Sequence, residues 1–381
     1  MKNLKTKLML ACFVGISIVS CSRDDDGIQT AQVATDNPLT TEVDNSIHQN
    51  FLSYIENTKR IGLSIAVLDG NNTTYYNYGE THKGSNSLPT QNSLYEVGSI
   101  TKTLTAAVIT RLMLDNNIPE DMPISNLLPP EIEELSYQGE VVTLKHLLNH
   151  TSGLPSVPGD ILSYGDLSNP YANYDFSRLT NYLNNFQLDR VPGSQYEYSN
   201  IGFALLGIIV AYQTDTNIIE FMSSITEGVI GMQNTEMELH GIVNTNENVV
   251  GAYKSNGNEG YYWTWNIWES AGGLYSDLID MTKYARVHFN SYNDNLDLKE
   301  VLDTNKIETY SDESVTVGRS WHIKRSNGNE VFWHTGGTGG FTTIVFIEPQ
   351  QEKAIIVLAN NSDVEQELLP VCASFFGQFL D

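Results

Sequence analysis

Apolar and polar positions alternate near both ends of this chain and recur at helical spacing between them. Residues 61–68 alternate and are rich in β-branched side chains, and 73–78 repeat the pattern. Asp69-Gly70-Asn71-Asn72 separates the two runs, so the stretch predicts a β-hairpin. Toward the C-terminus, 316–324, 330–335, 341–348 and 353–359 predict four more strands divided by turn residues, with Asn327-Gly328 as a hairpin turn. A short helix is expected near 47–58 and a closing helix over 364–380. The apolar period of 104–114 predicts a helix that opens at Ser99 and stops at Asn116-Asn117. Residues 142–150 predict a short helix and 200–212 a buried one. The span of about 120–290 is mainly helical, with long Pro-, Gly- and Asn-containing loops. Strands at both ends with helices between them predict an α+β fold: an antiparallel sheet assembled from both termini, with an inserted helical lobe.

The first 45 residues follow a different logic. Lys2, Lys5 and Lys7 precede a short apolar run over 8–19, too short for a confident membrane span, so 1–20 read as a secretion signal. It ends at Ile18-Val19-Ser20-Cys21, similar to a bacterial lipobox in which Cys21 would be lipidated; ordinary secretion with a chance cysteine is the alternative. Residues 21–45 are polar and aperiodic and read as a tether, leaving 46–381 as the folded domain. The acidic run Asp24-Asp25-Asp26 resembles a surface-export tag of Bacteroidetes-type lipoproteins, or is a plain charged tether. The expected address is the bacterial outer membrane, on its periplasmic or outer face. Of three cysteines, Cys12 lies in the leader and Cys21 would carry lipid, so Cys372 has no partner for a disulfide and is expected in the core.

Hydrophobic content of 40% in 381 residues suits a packed globule. A formal net charge of -25 argues against nucleic acid and against charge-driven docking to anionic membranes. The expected partners are a small-molecule or peptide substrate and, through the anchor, a membrane.

Three short motifs carry the chemistry. Ser99-Ile100-Thr101-Lys102 opens the first long helix, where residues three apart share a face, so Lys102 would stand beside the Ser99 hydroxyl. A serine hydroxyl becomes a good nucleophile when a neighbouring base takes its proton. A desolvated lysine can be that base. Tyr198-Ser199-Asn200 and His334-Thr335-Gly336 follow in order. No G-x-S-x-G surrounds Ser99, so a hydrolase of the α/β type has no support here. His146 and His150 lie four apart, but no H-E-x-x-H and no third ligand accompany them, so a structural role is preferred to a metal. No cofactor is expected. The aromatic run at 261–268 is either core or a cleft wall that stacks on substrate.

The order S-x-x-K, Y-S-N, H-T-G resembles the serine β-lactamase-like family, in its class C β-lactamase, DD-peptidase and esterase branch. His146-Leu147-Leu148-Asn149-His150-Thr151-Ser152-Gly153-Leu154, Pro192-Gly193 with Leu205-Leu206-Gly207, Ala271-Gly272-Gly273 and 333–341 extend the resemblance from about residue 50 onward. It implies a β-lactamase/transpeptidase-like fold and an acyl-enzyme on Ser99. Lys102 and Tyr198 would share the proton work, a nearby lysine cation lowering the Tyr198 phenol. Asn200 would fix Lys102 and the substrate amide, or cap the following helix. His334 and Thr335 would line the substrate, and the Gly337 amide would join that of Ser99 as an oxyanion hole. Many relatives carry Lys where this chain has His334. A lysine offers a fixed cation to a substrate carboxylate, whereas a histidine is mostly neutral near pH 7. Peptidase or esterase action on D-amino-acid peptides, amides or esters is therefore ranked above β-lactam hydrolysis, with a catalytically weak surface binding protein as the non-enzymatic alternative.

Overall fold

The computed structural model describes residues 33–326 and 328–380. The leader, Cys21 and most of the tether lie outside the described residues, as does Asn327 of the expected hairpin turn. An eight-stranded antiparallel sheet forms the centre. Its strands are β1 (Gly62–Asp69), β2 (Asn72–Gly79), β3 (Tyr310–Ser311), β4 (Thr316–Val317), β5 (His322–Ser326), β6 (Asn329–Gly337), β7 (Thr342–Glu348) and β8 (Lys353–Ala359). Their order across the sheet is β2-β1-β8-β7-β6-β5-β4-β3. Leu63 pairs with Ala359 and Asp69 with Lys353, so the first hairpin is sealed against the last strand. Gly70 supplies the positive φ of 55° that the β1–β2 turn needs.

Alternation along the strands sends side chains into two cores. Leu63, Ile65 and Val67 of β1, with Ile355 and Val357 of β8, meet the two terminal helices, α1 (Glu42–Ile55) and the helix over Glu365–Leu380. Cys372 is fully buried there as a free thiol. Ala66, Leu68, Ile356 and Leu358 face the larger core under the helical lobe. At the centre of that core lies α2 (Thr101–Asn116), buried around its whole circumference over 101–110. Asn117 ends it in the left-handed conformation, φ 51°. The lobe adds α3 (Leu144–Leu148), α4 (Asn200–Thr214), α5 (Glu269–Gly272) and α6 (Leu278–Val287), with α7 naming the terminal helix Glu365–Leu380.

Two expectations need correction. Residues 316–324 are not one strand: the chain reverses between β4 and β5, with Gly318 N–H donating to the Trp321 carbonyl at 2.9 Å. Arg319 at the bend reaches down to Thr110 Oγ1 at 3.0 Å and Glu120 at 3.1 Å, which turns the backbone inward. The domain also starts before residue 46. Asp36 accepts the Asn77 N–H at 2.7 Å, Asn37 donates to the Tyr78 hydroxyl at 2.7 Å, and α1 opens at Glu42 behind a Thr41–Asp44 capping box. The polar residues of 33–45 extend the sheet edge and cap a helix.

Candidate active site

Ser99 sits on a single 3-10 turn, Gly98–Ile100, that leads into α2. One turn on, Lys102 Nζ lies 3.0 Å from Ser99 Oγ and also donates to the Ala271 carbonyl. Lys102 is fully buried. Its neighbours are aromatic faces: Nζ stands 5.0 Å from the Tyr198 ring centroid and 5.6 Å from that of Phe203. None of the ion pairs among the described residues includes it. Burial alone therefore drives its pKa well below the usual lysine value, toward the free amine that can accept a proton.

The Ala-Gly-Gly segment exists to present that carbonyl. Thr105 Oγ1 donates to the Ser270 carbonyl at 2.6 Å, Ser270 Oγ to the Phe203 carbonyl at 2.8 Å, and the Leu274 N–H to Thr101 Oγ1 at 3.2 Å. These bonds tie 270–274 to both α2 and α4.

Tyr198 precedes α4. The N-cap of that helix is Ser199, whose hydroxyl accepts the Gly202 N–H at 3.0 Å and donates to the Pro155 carbonyl at 2.9 Å. Asn200, read as the possible cap and as the clamp on Lys102, does neither: its Nδ2 donates to the Tyr171 hydroxyl at 3.1 Å. The Ala271 carbonyl holds Lys102 in its place. His150 explains the segment around it. Its ring stacks on Tyr198 with centroids 4.4 Å apart, and its Nδ1 accepts the Ser199 N–H at 3.1 Å. Burial holds the His150 ring well below its ordinary pKa. His146, the other half of the spaced pair, accepts the Thr143 N–H on its Nδ1 at 3.2 Å.

Burial also raises the Tyr198 phenol well above its ordinary value, with a hydrogen bond from Ser99 offsetting part of the rise. The expected lowering of this phenol by a lysine cation is overturned. Both groups sit in the same low-dielectric pocket, which disfavours the ammonium and the phenolate alike.

β6 closes the site from the other side. Gly98 adopts φ 53°, and a Cβ there would fall 2.8 Å from the Gly337 nitrogen. The strand therefore runs directly against the nucleophile turn, which brings the Gly337 amide beside Ser99. Thr343 Oγ1 of β7 clamps the contact by donating to the Val97 carbonyl at 2.9 Å. His334 is buried, its Nδ1 2.6 Å from the Thr335 carbonyl, and its ring centroid lies 6.3 Å from that of Tyr198. Burial holds its pKa well below the ordinary histidine value. Thr335 turns its hydroxyl to Glu365, at 3.1 Å.

Two groups at the site escaped the sequence reading. His322 is pushed down to about 4 by burial and bonds the Tyr196 hydroxyl through Nε2 at 3.0 Å. Glu96, three residues before Ser99, is buried and pushed up to about 8 by desolvation. Its Oε1 accepts the Trp263 N–H at 2.9 Å. Neither has a motif; both are defined by contacts more than 100 residues away in sequence.

The aromatic run resolves as both core and wall. Tyr171 stacks on Trp265 with centroids 5.0 Å apart and meets Trp263 edge-on at 5.4 Å. Asn169 bonds Thr264 twice, at 3.0 and 3.2 Å, so the loops at 155–175 and 255–270 form one unit beside Asn200.

Sheet, lobe and site together define a β-lactamase/transpeptidase-like architecture, and the Beta-lactamase family profile matches residues 47–369. The chain belongs to that family of serine hydrolases. Among curated relatives, the D-alanyl-D-alanine-carboxypeptidase/endopeptidase AmpH of Escherichia coli (strain K12) is 27% identical over 221 residues, 58% of this chain and 55% of the relative. This chain thus spans about half the length of that relative. The β-lactamase/D-alanine carboxypeptidase from Pseudomonas syringae superposes with a TM-score of 0.75 at 19% identity, over 88% of this chain and 99% of the other. A class C β-lactamase from Rhodobacter sphaeroides gives 0.75 at 18% identity, over 88% and 100%. These two likenesses establish the fold.

Proposed function

We propose that this protein hydrolyses peptides, amides or esters through an acyl-enzyme on Ser99. The observation that carries the reading is the fully buried Lys102 amine 3.0 Å from the Ser99 hydroxyl, its pKa driven well down by burial. In this mechanism Lys102 takes the Ser99 proton as Oγ attacks the carbonyl. The amides of Ser99 and Gly337 receive the developing oxyanion. Tyr198, held in its protonated form, is the donor to the departing group, and Lys102 returns the proton through it. Water then repeats the sequence to release the acyl group.

Peptidase or esterase action ranks above β-lactam hydrolysis because His334 is neutral where a lysine would hold a carboxylate. The carboxypeptidase/endopeptidase named among the relatives supports the same class. An exported protein anchored through lipid on Cys21 remains part of the proposal. Intact-mass spectrometry of the purified chain with a fluorophosphonate and with a penicillin tests it, with Ser99→Ala alongside. One adduct, lost in the variant, is the expected result; a lasting penicillin adduct marks a peptidase and rapid loss with opened drug a β-lactamase. No adduct from either probe on folded protein overturns the acyl-serine reading.

A further inference from the structure

The far end of the cleft carries a carboxylate of its own. Thr335 lies two residues before Gly337 on β6, so both point to the same face of the strand, about 6.6 Å apart. A group one residue beyond the scissile carbonyl, once bound to the oxyanion amide of Gly337, reaches the Thr335 hydroxyl. That hydroxyl already donates to Glu365 Oε1 at 3.1 Å. Glu365 is exposed and stands in the first turn of α7. None of the ion pairs among the described residues includes it. Arg60, which meets the first turn of this helix, is engaged by Glu367 and the Ser255 carbonyl. The charge of Glu365 contributes, last among the causes, to the raising of the Tyr198 phenol. Burial lowers the proton affinity of both His334 and Lys102, the two basic groups nearest the motif.

We infer that Glu365 sets the charge of the substrate beyond the scissile bond, excluding carboxylates there and admitting neutral or ammonium-bearing esters and amides. The inference rests on the acyl-Ser99 reading and narrows its substrate class. A terminal carboxylate at that position would meet Glu365 with the Thr335 proton already committed. Like charges at such a distance repel, and the desolvated acceptor would lack a donor. An ammonium group there would instead gain a partner.

Three matched phenylacetate esters test it, with 3-hydroxybenzoate, 3-hydroxybenzamide or 3-(aminomethyl)phenol as the leaving group. Wild type, Glu365→Gln and Ser99→Ala are compared by kcat/KM. The expected order in wild type is ammonium over carboxamide over carboxylate, with the carboxylate ester slower than the carboxamide by about tenfold or more. Glu365→Gln should raise the carboxylate ester by a similar factor and leave the carboxamide within about twofold. Added salt should narrow the wild-type spread, since Glu365 is solvent-exposed. Equal kcat/KM for the three esters in wild type, or an unchanged ratio in Glu365→Gln, overturns the inference and leaves the acyl-serine reading standing. Hydrolysis that survives in Ser99→Ala, or no turnover of any ester, overturns both.

Discussion

Gly98→Ala is the sharpest test of how the nucleophile is held. The glycine has φ 53°, where an alanine costs about 1–2 kcal/mol. The new methyl would fall 2.8 Å from the Gly337 nitrogen, 3.0 Å from its oxygen and 3.2 Å from the Gly336 carbonyl carbon, all of them backbone atoms. Ordinary contacts start near 3.4 Å, so β6 must retreat from the Ser99 turn by about half an ångström or more. Overpacking of this kind adds about 1–3 kcal/mol. The retreat also separates the two amides proposed as the oxyanion hole, and displacements near 1 Å cost up to ~100-fold in rate. The expected outcome is a loss of about 2–5 kcal/mol in unfolding free energy and of ~10–100-fold in the acylation rate. Denaturant titration reads the first and time-resolved mass spectrometry with a fluorophosphonate the second. Gly337→Ala is the folding control, because its Cβ would meet no atom within 4 Å. A Gly98→Ala protein as stable as wild type, and acylated within about threefold of its rate, would refute the close apposition of strand and nucleophile.

Lys102→Arg should lower acylation by ~100–10,000-fold, since a guanidinium cannot accept the Ser99 proton. The wild-type acylation rate should fall on the acid side of a group that titrates well below the ordinary lysine value; a rate that climbs up to pH 10 would show a lysine of ordinary basicity. Glu96 keeps its proton in the fold up to about 8 but releases it near 4.5 when unfolded, so the folded state binds more protons between those values. Wild-type stability, measured against Glu96→Gln by denaturant titration, should therefore fall as pH rises through that window and level off above it, by at most ~5 kcal/mol. Trp268 is fully buried and donates its indole N–H to the Tyr174 carbonyl at 3.0 Å, so Trp268→Ala should cost about 3–5 kcal/mol in the same titration.

Local periodicity carried most of the architecture. The β1–β2 hairpin, β8 and the stop of α2 at Asn117 fall within a residue or so of their expected places, because alternation, turn residues and caps are local signals. Ser99 and Lys102 could be paired from the three-residue spacing alone. The misses share one cause. Residues 33–45 look like a tether by composition, yet their Asp and Asn side chains bond Asn77 and Tyr78, which sequence adjacency cannot show. Asn200 lost its assigned place to Ser199 because Pro155 and His150 position the serine from another loop. The Tyr198 proton affinity was expected to follow a lysine cation; burial, a property of the whole fold, dominates instead, and at Lys102 it acts in the expected direction. Glu96 and Glu365 gain their significance from Trp263 and Thr335, and no pattern near either residue announces it.

The pairing of β1 with β8 has a consequence for how the chain comes into being. Leu63 waits for Ala359, and the Gly98 turn waits for Gly337. During synthesis, Ser99 and Lys102 emerge from the ribosome long before the strands that complete their surroundings. Contacts so distant in sequence form slowly. Lys102 is therefore solvated, protonated and unable to activate Ser99 until the last strand is in place. On the proposed mechanism, Ser99 is armed by the same event that closes the sheet, and an unfinished chain is a chemically silent one.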